Sequence, residues 1–201
     1  MQLTTVTPVD AGRVVILNGA SSSGKTSLAR AFVDQRAAAR QLWVLTGLDD
    51  YISKLPAEFV DVTGNHGSFG DDGLKFTATS AGTQVHVGPI GALVFGLYRH
   101  TVALWASLGC DVVVDEVILS EANVRDWRAV LEGLDVTWVA VRCDDDVNDA
   151  REAARGDREI GLARAQRAVV HAFVDYDVEL DATHASPTEL AIQLTRALAS
   201  P

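Results

Sequence analysis

The sequence predicts a three-layer α/β/α fold with a five-stranded parallel sheet, an inserted hairpin and a helical lid, all in a single domain over residues 1–201. Three observations predict it. A glycine-rich phosphate-binding loop sits between a strand and a helix, five short apolar runs alternate with helical periodicities, and a later apolar strand ends in two carboxylates.

The loop is Gly19-Ala20-Ser21-Ser22-Ser23-Gly24-Lys25-Thr26, which fits G-x-x-x-x-G-K-[ST] at every fixed position. Val14-Val15-Ile16-Leu17 before it reads as a buried strand, and Leu28, Ala31 and Phe32 after it recur at helical spacing. Glycines let the backbone fold closely round a phosphate, with amide N–H groups aimed inward at the positive end of the following helix. Lys25 is expected to reach the β and γ phosphates and the Thr26 hydroxyl to ligate Mg2+, so the expected ligands are ATP and Mg2+, with nucleotide contacts from Gly19 through Ser27. The plain alternative is a Gly/Ser turn that precedes a helix. The strand–loop–helix context favours a P-loop NTPase.

The 201 residues suffice for one continuous core, and no apolar stretch approaches the ~20 residues of a membrane helix. Residues 1–12 lack the basic start and apolar segment of a signal peptide, so the expected location is cytoplasmic, with no membrane partner. A net charge of -10 argues against a nucleic-acid surface, whereas a local arginine cluster still suits a small anionic ligand. Cys110 and Cys143 are too few and too far apart for a zinc cluster and read as reduced thiols. A homo-oligomer stays open.

Leu42-Trp43-Val44-Leu45 reads as the second strand, followed by a short helix that starts at Asp49 and Asp50 and carries Leu48, Ile52 and Leu55. The pair therefore lies at the carboxyl end of a strand, on the side of the phosphate loop, where one of them can accept a proton from a substrate hydroxyl. Both also suit a helix N-terminus. From Val60 to Gly88 the composition turns to Gly, Thr, Ser and Asp, with Leu74–Thr77 and Val85–Val87 as short strands around Ser80-Ala81-Gly82. This is a hairpin-bearing insertion, bounded at 62–88, on the substrate side.

Beyond Pro89 the positions Ile90, Leu93, Val94, Leu97, Thr101, Leu104, Trp105 and Leu108 predict a long core helix, with Arg99 and His100 off its stripe and solvated. Asp111-Val112-Val113-Val114-Asp115-Glu116 then reads as a buried strand of Walker B type, in which Asp115 meets the metal or its water shell. A cap on the next helix, whose apolar face is Val124, Trp127 and Leu131, is the other role open to Asp115 or Glu116.

A fourth strand at Val136–Val141 leads through Cys143-Asp144-Asp145-Asp146 into a lid over residues 144–161. Arg151, Arg155 and Arg158 follow i, i+4, i+7, which puts three guanidinium groups on one helical face, able to bind nucleotide phosphates and offset charge on the transferring group. A surface face paired with Glu152, Asp157 and Glu159 is the alternative. Leu162, Ala165, Val169 and Phe173 predict another core helix, Tyr176–Leu180 an edge strand, and Ser186-Pro187-Thr188-Glu189 a capping box that opens the last helix.

These residues resemble the chloramphenicol phosphotransferase family, and more widely the small kinases of adenylate and shikimate kinase type. The likeness covers most of the chain. It is carried by Ile16–Gly19 into the loop, Gly47-Leu48-Asp49, Val112–Val117, Val141–Asp144 with Arg151–Arg158, and Tyr176–His184. The resemblance implies ATP-dependent phosphorylation of an alcohol on a small molecule, with Asp49 at the position of the family's proposed base, the arginine face as lid, and the Asp181–His184 loop near adenine. It weakens over Val60–Gly88, which shares little beyond Val87-Gly88-Pro89 and is expected to help wall the acceptor pocket.

Overall fold

A computed structural model describes residues 10–61, 67–79, 82–155 and 162–199. Five strands form one parallel sheet: β1 (Arg13–Asn18), β2 (Trp43–Gly47), β6 (Asp111–Glu116), β7 (Asp135–Arg142) and β8 (Val178–Asp181). Their spatial order is β2-β6-β1-β7-β8. The chain leaves central β1 toward one edge and later returns past it toward the other, so the order reverses at β1, where open α/β sheets place their ligands. Register sets Leu17 of β1 and Gly47 of β2 on either side of Asp115.

Strand alternation feeds two cores. Val15, Leu17, Val113, Val139 and Val141 pack with Leu28 and Phe32 of α1 (Lys25–Ala38) and with Leu190 and Leu194 of α7 (Pro187–Ala197). Val14, Ile16, Val112 and Val114 point to the opposite face, onto Tyr98, Val102 and Ala106 of α3 (Pro89–Ser107) and Val124 and Trp127 of α4 (Glu121–Val130). Three layers result, as expected for strands apolar on both faces. The Ser186 and Glu189 capping box opens α7 as its sequence predicts.

The insertion contains β4 (Leu74–Thr79) and β5 (Gly82–Val87), paired antiparallel as a hairpin. A two-residue strand, β3 (Val60–Asp61), adds to it in parallel, which composition alone did not signal. The segment expected to form the lid holds α5 (Asp145–Arg155), and α6 (Leu162–Arg167) follows it and packs against β5.

Two expected core faces are corrected. In α3, Leu93, Leu97, Leu104, Trp105 and Leu108 are exposed, while Gly91, Tyr98, Val102 and Ala106 face inward. This helix is apolar almost all round, so spacing does not select a face. The main sheet takes the side that carries Val102 and Ala106, and Gly91 sits against the insertion, where a Cβ would meet Gly73 O at 2.5 Å. Arg99 is buried rather than solvated, with Nη1 3.3 Å from Asp126 and its guanidinium above the Trp127 ring. After the lid, Ala163, Gln166, Val170 and Val174 are buried, while Val169 and Phe173 are exposed. Helix α6 stops at Arg167, and a hydrogen bond to the phosphate loop draws Gln166 inward, so a polar contact sets the face.

Candidate active site

The phosphate loop joins β1 to α1. Gly24 caps α1 at φ +104°, a left-handed conformation that a side chain resists. Gly19 passes over the end of β7 so closely that a Cβ would lie 2.4 Å from Val141 O. The hydroxyls of Ser21, Ser22 and Ser23 are buried and make no hydrogen bond among the described residues. Buried polar groups are normally paired, so a concave turn of amides with orphan hydroxyls fits an oxyanion ligand.

Lys25 is 5% exposed, and its Nζ donates to Gly19 O at 2.8 Å and Ala20 O at 2.7 Å, folded back across the loop. It also lies 3.9 Å from Asp115. The Thr26 hydroxyl donates to the Asp115 carboxylate. A threonine hydroxyl and one carboxylate beside a phosphate cradle are the hard oxygen donors that Mg2+ uses when water and substrate phosphates complete its octahedron. The residues therefore fit that ion, although no cluster of three or more His, Cys, Asp or Glu side chains suited to a metal occurs among the described residues.

The neighbouring Glu116 faces the other way. Its carboxylate is buried, accepting from Trp127 Nε1 at 3.0 Å and Val117 N at 2.8 Å, and burial pushes its pKa up against the opposing effect of these bonds and of Arg99. Neither acid caps α4, because Ser120 does so through Asn123 N.

At the end of β2, α2 (Leu48–Ile52) holds Asp49 and Asp50 in its first turn, with Gly47 at the N-cap position. The Asp50 carboxylate accepts from Gly47 N at 2.9 Å and lies 3.5 Å from Thr46 Oγ1. It is tied to the helix start, and both aspartates are exposed.

A cavity of about 380 Å3 runs from Ser22, Gly24, Lys25, Thr26 and Ser27 to Arg151, Ala182, Ala185 and Pro187. Arg151 bridges its walls: Nη2 donates to Ala182 O at 2.9 Å, and Nη1 lies 3.4 Å from Ser23 O and from Cys143 Sγ. Arg155 lies in the last described turn of α5, and Arg158 lies outside the described residues.

Three residues without a sequence signal also touch the loop or its neighbours. Gln166 Oε1 accepts from Ser21 N at 2.7 Å, Asn148 Nδ2 donates to Ser21 O at 3.0 Å, and Arg167 Nη1 donates to Asn148 Oδ1 at 2.9 Å and Asp149 at 2.6 Å. Asn148 and Gln166 belong to no motif, so only the packing of α5 and α6 against the loop discloses them. Asn18, just before the loop, accepts from Ile118 N and donates to Val170 O and Tyr176 Oη, tying the loop's base to the segment after the lid.

Residues 12–199 match the sequence profile of the chloramphenicol phosphotransferase-like proteins. The chain belongs to the chloramphenicol phosphotransferase-like family. Two proteins of Mycobacterium tuberculosis named "Putative O-phosphotransferase", one from each of two strains, are 34% identical to it over 190 residues, spanning 91% of this chain and 80% of theirs. Among solved structures, it resembles an APS kinase of M. tuberculosis (TM-score 0.67, 17% identity, 96% of this chain and 100% of that one). A sugar kinase of Janibacter also superposes (TM-score 0.62, 18% identity, covering 93% and 94%). Shikimate kinase of Aquifex aeolicus is more distant (TM-score 0.51, 11% identity, covering 92% and 95%). At these identities the structural likeness establishes the fold, that of the P-loop kinases. Family and fold together make this chain an enzyme of the phosphotransferase type.

Proposed function

We propose that this family member transfers the γ-phosphate of ATP directly to a hydroxyl of a small molecule, with chloramphenicol or a related antibiotic as the first acceptor to test. The observation that carries this reading is the continuity of one cavity from the Lys25–Thr26 pair, with Asp115 on Thr26, to Arg151 and the Ala182–Pro187 loop. It offers cations and amides at one end, for phosphates, and an uncharged wall at the other, for a base.

Lys25 leaves the two loop carbonyls and turns to the β and γ phosphates, while Thr26 and Asp115 hold the metal. Held by Thr26 and Asp115, Mg2+ would offset the negative charge of the phosphates. Arg151, with Arg155 and Arg158 from the lid, neutralises the triphosphate and the charge that builds during transfer. The acceptor oxygen forms its bond to the γ-phosphorus as the bond from that phosphorus to the β,γ-bridging oxygen breaks. ADP departs, and the hydroxyl proton passes to Asp49. Asp49 is preferred to Asp50 because the family resemblance puts Asp49 at the position of the proposed base.

The test is product formation. Mass spectrometry with Mg-ATP and a panel of antibiotic and metabolite alcohols should reveal an acceptor gaining one phosphoryl group, and failure of every alcohol while ATP still binds would count against transfer. Once an acceptor is known, Asp49→Asn should lower kcat by about 10²- to 10⁴-fold with ATP binding retained. Activity near wild type would remove Asp49 from the base position. A metabolic acceptor is the second reading, favoured by the sugar kinase and APS kinase among the structural neighbours. The same panel separates the two.

A further inference from the structure

The phosphate loop contains a strained turn. Ser23 N donates to Ala20 O at 3.2 Å, closing a four-residue turn whose third residue, Ser22, has φ +60°. Positive φ at that position, and not at Ser21, is the pattern of a type II turn, which ordinarily takes glycine or asparagine there. Arg40 is the other non-glycine residue with positive φ among the described residues, and it follows the end of α1, where left-handed backbone is common. Ser22 ends no helix. A conformation of this kind persists only where its surroundings hold it.

We propose that Asn148 and Gln166 are positioning residues for the nucleotide: they grip both sides of the Ser21 backbone from α5 and α6 and keep this turn in the form that receives phosphate. Gln166 Oε1 accepts from Ser21 N at 2.7 Å and Asn148 Nδ2 donates to Ser21 O at 3.0 Å, with the two side chains 8% and 1% exposed. Arg167 Nη1 lies on Asn148 Oδ1 at 2.9 Å, and since a guanidinium only donates, the amide faces Ser21 through Nδ2. The bond to Ser21 O decides the turn. Type I and type II turns differ by a flip of the central peptide, here the one joining Ser21 to Ser22, and its carbonyl is the group that Asn148 holds.

A trans peptide points its C=O and N–H in opposite directions. With Ser21 O on Asn148, the Ser22 N–H is turned the other way, and Ser22 lines the cavity that Lys25 and Thr26 share. Without that bond the serine relaxes to negative φ, the peptide turns over, and a carbonyl oxygen replaces the amide and repels phosphate. The inference rests on reading the loop as an ATP site. It adds that the cradle is formed before the nucleotide arrives, by side chains 127 and 145 residues further along the chain. Asn148 stands one turn before Arg151 on the same helix, so the residue that sets the turn and the residue that bridges the cavity walls are placed together.

Calorimetry of the full chain with Mg2+ and a non-hydrolysable ATP analogue tests the proposal. Asn148→Ala should raise Kd by about tenfold, the scale of one buried hydrogen bond lost. Asn148→Asp, of nearly the same volume, should raise it at least as far, because one carboxylate oxygen faces Ser21 O while the other still pairs with Arg167. Adding Ser22→Gly to Asn148→Ala should recover most of the affinity, since glycine takes positive φ unaided. Unchanged affinity in both Asn148 variants, or a loss that Ser22→Gly does not repair, would overturn the proposal. With an acceptor in hand, KM for ATP should rise in these variants while kcat changes little, and the reverse split would again reject it. Hydrogen exchange in the nucleotide-free chain separates this inference from the ATP reading. Asn148→Ala should speed exchange across residues 19–26 and leave β1 and β7 as in wild type; equal exchange there would overturn the grip even where ATP binds. A wild type that binds no analogue but shows the exchange difference would strike the ATP reading and support the grip. If Asn148→Ala does not fold, Gln166→Leu removes the other hold and is read in the same way.

Discussion

Single residues in this molecule separate chemistry from architecture by the face on which they emerge. Asp115 and Glu116 are adjacent, and strand alternation sends one to Thr26 and the other to Trp127. Glu116→Ala should leave the Trp127 and Val117 N–H groups unpaired in the core and cost about 1–3 kcal/mol of stability, read as a lower midpoint in urea. Turnover per folded molecule should change little. Lys25→Ala reverses that pattern. Its amine serves the loop and, on our reading, the triphosphate, so the variant should keep its fold while losing ATP affinity and turnover in calorimetry and product assays. Unchanged affinity would mean that the glycine loop is only a turn.

At the scale of elements, the segment after α6 is fastened to the base of the phosphate loop through Asn18, and a histidine braces that contact. His171 Nδ1 lies 2.9 Å from Tyr176 Oη, which also receives Asn18 Nδ2 at 2.6 Å. Burial, aided by Arg142, lowers the imidazole pKa from 6.5 to about 4, so the folded protein keeps the ring neutral where the unfolded chain would protonate it. A depressed pKa gives stability that is fully present above 6.5 and is lost as pH falls toward 4. The ring is only half-buried, which moderates the effect. The Tm of wild type should therefore fall more steeply over that window than that of His171→Asn, and parallel profiles would show that this ring does not report on the segment's attachment.

For the whole molecule, the reversal of strand order at β1 gathers the ends of β1, β2 and β6 into one crevice, and α5 and α6 close over it from the far side. The hairpin sheet reaches the same region through α6. Among the described residues, this arrangement leaves the outer face of α3 as a large apolar surface in water.

How much of this was legible beforehand depended on whether a signal was local. The phosphate loop, the strand that ends at Asp115, the capping box at Ser186 and the hairpin each rest on chemistry within a few residues, and each appears where its sequence places it. Asn148, Gln166 and Arg167 reach the loop region only because two helices fold back on it, and no spacing announces that. The inward face of α3 was equally hidden. A helix apolar all round carries no preferred side of its own, so the choice fell to what packs on it: the sheet takes Val102 and Ala106, the hairpin closes on Gly91, and the leucines are left in water. Sequence by itself determined the glycine-rich loop between strand and helix and the α/β alternation, because short-range pattern encodes both. Tertiary structure alone decided which apolar face is core and which polar side chains meet the loop, because those are contacts between segments far apart in the chain.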